Sequence, residues 1–148
     1  MGKITKYLIV LTFLTSQFGC GNFLSGSWED DPDNWQKASS SRKPDDVVVL
    51  HSQYIRFAHF TLEYQYFFEI EKNNQIKEQL FTDNALVRVE GKQAENARDN
   101  HGGNCPDWFA PKPIELYDVW VYEDPDFSNL VVLIDLDNGN IFIADHLY

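Results

Sequence analysis

Over positions 60–70, apolar and polar residues take turns. Phe60, Leu62, Tyr64, Tyr66, Phe68 and Ile70 fall on one side, and Thr61, Glu63, Gln65 and Glu69 on the other. Phe67 alone interrupts the polar side. A period of two over this length predicts a strand with one buried and one mostly wet face, as in an antiparallel sheet. The β-branched run Val47-Val48-Val49-Leu50 predicts a strand continuing towards Tyr54, and further strands are predicted over 86–89 and 117–122. The runs 130–136 and 141–144 flank Asn138-Gly139, the strongest signal for a two-residue hairpin turn.

Helical signals are shorter. Asp31-Pro32 ahead of 33–38 offers a capping residue and a proline at the first helical position. Asn73-Asn74 offers a cap for a helix to about Phe81, with Ile76 and Leu80 four apart on one side. The polar stretch 91–104 holds at most a helical turn over 93–98, and the prolines of 105–113 exclude regular structure there. The pattern predicts a single α+β domain of two layers over 47–148. Its antiparallel sheet has five or six strands, with one or two short helices.

The opening residues change this picture. Lys3 and Lys6 precede a short apolar run over 7–14, then Thr15-Ser16-Gln17-Phe18-Gly19 leads to Cys20. A basic end, a short apolar core and a small residue before a cut form a secretory signal over 1–19. The run is too short to span a bilayer, which takes about 20 apolar residues. Gly19-Cys20 resembles the junction of a bacterial lipoprotein signal, although Gln17 and Phe18 stand where such signals usually carry Leu and a small residue. The resemblance implies an acylated Cys20 as the new N-terminus, a lipid-anchored tether with a short helix over 20–46, and a place at the cell envelope. Ordinary secretion to the periplasm or beyond is the alternative.

Cleavage before Cys20 leaves 129 of the 148 residues, enough for one core. Lys3 and Lys6 leave with the signal, so 10 basic and 23 acidic side chains remain, a formal charge of −13 against −11 for the whole chain. Such a surface repels nucleic acid and anionic headgroups and favours solubility or cationic partners. Acylation of Cys20 would leave Cys105 without a partner in the chain, whereas a free Cys20 could bridge to it.

Candidate chemistry is sparse. If the strands carrying His51 and His59 pair as a hairpin, His51, His59 and Glu63 converge as zinc ligands, the basis for a zinc-dependent hydrolase. The alternative makes each imidazole a surface group. The run from Asp135 to Asn140 only superficially matches a calcium loop, because Gly139 takes the fifth place rather than the sixth. No Gly-x-Ser-x-Gly elbow, phosphate-cradling loop or dinucleotide fingerprint is present, and no cofactor is expected. Eleven Phe, seven Tyr and four Trp exceed what one strand's core needs. Trp108 and Phe109 on the proline-stiffened loop are the candidate contacts for a protein or polysaccharide partner, unless Trp108 folds back over the sheet.

The mature part also resembles small exported bacterial proteins in which an aromatic-rich antiparallel sheet precedes a proline–tryptophan loop and a C-terminal hairpin. The matching stretches are 60–70, 106–111 and 131–144, and the likeness brings no activity with it. The expectation is a non-catalytic binding or scaffold lipoprotein of the cell envelope. An inhibitor or immunity protein, holding a cationic enzyme through its acidic aromatic surface, is the alternative.

Overall fold

The computed structural model describes residues 25–58, 63–101 and 104–147. Within them, two antiparallel meanders join into one sheet. The first holds β1 (Gly26–Glu29), β2 (Val49–Phe57) and β3 (Glu63–Ile70). The second holds β4 (Leu86–Val89), β5 (Tyr117–Tyr122), β6 (Val131–Asp135) and β7 (Ile141–Leu147). The strand order is β1-β2-β3-β7-β6-β5-β4, so the seam between the meanders is the pairing of β3 with β7. Three helices accompany the sheet: α1 (Asn34–Ser39), α2 (Asn74–Asp83) and α3 (Lys92–Asp99). No helix among the described residues is long and apolar enough to cross a membrane.

The mixed α+β class stands, but seven strands among the described residues replace the expected five or six. The additional strand, β1, is only four residues long, too short to show a period. The sheet is also covered on both faces rather than one. On one face Phe67, Leu133, Phe142 and Val119 pack against Ala94 of α3 and against Phe109 and Ile114 of the loop before β5. On the other, Phe68, Ile70, Val132 and Ile143 pack against Ile76 and Leu80 of α2 and Trp35 of α1. The alternation over 63–70 therefore separates two buried faces at the seam. Phe67 and Gln65 are fully buried, and β6 is buried along its whole length.

Within the stretch 20–46, expected as a tether with a short helix, residues 26–39 pair with and pack on the sheet. β1 pairs with β2 from Gly26 opposite Arg56 to Glu29 opposite Gln53. The Asp31 carboxylate accepts from the Asp33 N–H at 2.8 Å, forming a turn that carries Pro32, and α1 starts only after it. Asn34 is wholly buried; its amide donates to the Trp28 carbonyl at 2.9 Å and to Ser52 Oγ at 3.1 Å. That side chain ties β1, α1 and β2 together. Trp35 meets Phe68 edge-on at 5.7 Å.

Asn73 caps α2 as expected, its side chain accepting from the Ile76 N–H at 2.9 Å. The connection from β6 to β7 is longer than a two-residue turn. Asp135 N–H donates to the Asn140 carbonyl and Gly139 N–H to the Asp135 carbonyl, enclosing 136–139. Gly139 has φ +80°, so the backbone there needs glycine, whereas the Lys72 side chain 2.9 Å from a would-be Cβ is exposed and flexible and can move aside. Lys112 Nζ lies 2.8 Å from both the buried Asp135 and the exposed Asp137. Burial pushes the Asp135 carboxyl up, but Lys112 and the Asp137 N–H outweigh it and hold it below its ordinary range.

Replacing Asn34 by Ala leaves the Trp28 carbonyl and Ser52 Oγ without their buried donor. Denaturant unfolding of Asn34→Ala is expected to show a loss of about 1–3 kcal/mol. A neutral result would return 26–39 to the role of a tether.

Candidate functional site

α3 ends at Asp99, and two residues later the chain turns His101 inward. The turn is fixed from beneath, because the buried Gln65 amide on β3 donates to the His101 carbonyl at 2.8 Å. Gln65 lies opposite His146 in the β3–β7 register. The His101 ring is 1% exposed and stands edge-on to Phe67, Phe109 and His146, with centroids 5.4, 6.0 and 5.7 Å away. Among the described residues neither of its ring nitrogens has a hydrogen-bond partner, and neither has Gln65 Oε1. Buried polar atoms are nearly always paired, and each unmet one costs about 1–3 kcal/mol.

His101 lines an open cleft of about 770 Å³ between α3, the ends of β5, β6 and β7, and the 123–130 loop. That volume suits a small organic ligand. Val89, Val121, Val131 and Ala97 give the cleft an apolar floor, while Gln93, Asn96, Asn100 and Asn129 bring carboxamides to its walls. Asn129 also donates to the His146 carbonyl at 3.1 Å, tying the 123–130 loop to β7. Burial first, then the proximity of His146, pushes the His101 pKa down to about 4. At neutral pH its ring is therefore uncharged, with one N–H and one lone pair to offer. Burial lowers the His146 pKa as well.

The residues singled out in the sequence do not form this site. His51 pairs with Glu69 and Glu63 with Phe57, so His51 and Glu63 sit about 20 Å apart at opposite ends of the β2–β3 hairpin. His59 lies outside the described residues, as does Cys20. The zinc convergence fails on register, and among the described residues no group of three or more His, Cys, Asp or Glu is placed to hold a metal. His51 instead lies 3.5 Å from Asp30 and stacks on Trp108 at 5.4 Å.

Phe109 is no partner anchor: it is 3% exposed and packs edge-on against Phe67 and Phe142. Trp108 is half-buried and lies against the same core, so it does fold back. Cys105 is exposed as a residue and carries no disulfide to a described residue. Desolvation of its sulfur and the nearby Asp99 push the thiol up to about 11, which keeps it protonated and a poor nucleophile.

His101 and His146 belong to no motif. The one available signal is phase, since His146 continues the alternation Phe142, Ala144 on the buried side of β7. No protein-family model, curated protein or solved structure matches the chain.

The depressed His101 pKa makes a signed prediction. The unfolded chain takes a proton near pH 6.5 and the folded one only near 4, so acidification across that window lowers stability. Asp145, raised from 3.8 to about 6 chiefly by burial, opposes this, because its contribution is present at low pH and lost as pH rises through 6. Comparison with His101→Phe isolates the histidine. The variant, with no ring nitrogen to leave unmet, should lose less stability than the native chain between pH 6.5 and 4, measured by thermal unfolding. An identical pH profile would place the His101 ring in water.

Proposed function

We propose that the chain is exported, held at the cell envelope through Cys20, and acts there as a non-catalytic binding protein whose ligand sits in the cleft beside His101. The leader supports the first part: Lys3 and Lys6, the short apolar run and Gly19-Cys20 have the layout of a lipoprotein signal. One observation carries the second. A buried imidazole with two unmet hydrogen-bonding atoms lines a cleft large enough for a small molecule. Those nitrogens are closed off from solvent, so a ligand that displaces the wall over the ring and supplies the bonds relieves that deficit and is bound more tightly for it.

The apolar floor and carboxamide walls suit binding, in which surface burial supplies affinity and a few polar groups fix orientation. Cys105, held as a thiol, gives no support to covalent catalysis. The acidic net charge keeps such a protein soluble beside a membrane while drawing positively charged molecules to it.

Fractionation of cells making the full-length chain tests the address. The protein should travel with the membranes and begin at a lipid-modified Cys20 by mass spectrometry, and Cys20→Ala should release it from them. An intact chain with Met1 in the cytoplasmic extract would overturn export.

A further inference from the structure

The charged side chains in the cleft wall are of one sign. Asp99 and Glu123 line it, and among the described residues no Lys or Arg does. Asp99 is engaged by Arg98 at 2.7 Å, whereas the exposed Glu123 has no ion pair with a described residue. His101 stays uncharged at neutral pH, so it does not offset Glu123. With the formal charge of −11, the local and the whole-molecule fields agree in sign.

Resting on the reading that the cleft is the binding site, we propose that its ligand is a small organic cation. An ammonium group lies towards Glu123 and an apolar body covers Val89, Val121 and Val131. The ammonium is all donor, which suits the Glu123 carboxylate and the carboxamide oxygens of Asn96 and Asn129. An anionic ligand of the same shape meets Glu123 with like charge and finds no cation in the wall to compensate. The Glu123 contact is exposed and contributes little affinity by itself, so it acts on selection while the apolar floor holds the ligand.

Three probes on one carbon skeleton separate the possibilities: phenylpropylamine, phenylpropanol and phenylpropionate. Each is titrated into the full chain in detergent at neutral pH and followed through the backbone amide resonances of 93–101 and 121–131. The amine is expected to shift these resonances and to bind at least about tenfold more tightly than the acid. Glu123→Gln should remove most of that difference, while His101→Phe, which leaves the carboxylate in place, should keep it. If the alcohol or acid binds as tightly as the amine at the same resonances, the cation is wrong and the cleft remains the site. If none of the three perturbs them, both the cation and the cleft fail.

Discussion

The pairing of β3 with β7 holds this molecule together. Each meander is local in sequence, but neither alone buries both of its faces. The seam runs from Tyr64 opposite Leu147 to Ile70 opposite Ile141, joining residues 71 to 83 positions apart along the chain. Along it, Phe67 opposite Ala144 enters one core and Phe68 opposite Ile143 enters the other. Closing so long a loop costs entropy, and the seam recovers it by removing apolar surface from water on two sides at once. The sheet is then the middle layer, with α1 and α2 over one face and α3 with the 106–116 segment over the other.

The cleft follows from how that seam ends. At its open end Gln65 and His146 are register partners, occupying places that further up hold Phe67 and Ala144. Polar residues thus continue the buried stripe to the rim, and Gln65 uses its amide to hold the chain at His101 after α3. The result is an uncharged imidazole surrounded by Phe67 and Phe109, with hydrogen-bonding atoms left unmet. A fold optimised for stability alone would place an apolar ring there, and departures of this kind concentrate at functional sites. The acidic rim adds a preference of charge without contributing much to affinity.

Much of the framework was legible in the sequence, and the failures have physical causes. The strands at 86–89 and 117–122 and the Asn73 cap follow from local pattern and lie where expected. The long alternation was legible as a strand but not as a central one. An antiparallel strand buried on both faces still alternates when its second face takes Gln65 and Glu69 along with Phe67, and Phe67 alone marked the difference. β1 is four residues whose pairing with β2 is braced by Asn34, through the Trp28 carbonyl and Ser52, a contact no local pattern contains. The zinc triad assumed that residues near one hairpin converge, whereas the observed register separates His51 from Glu63. Site residues His101 and His146 stayed hidden because tertiary packing brings them together, with Gln65 as the intermediary.

Native-state hydrogen exchange on the full chain tests the two-faced seam most directly, because protection reports which backbone bonds open only with global unfolding. Amides of 65–70 and 141–146 should be the slowest to exchange and should exchange together. Rapid exchange across 65–70 while β5, β6 and β7 stay protected would mean that the second meander folds without the first, and the account of a shared core would be wrong.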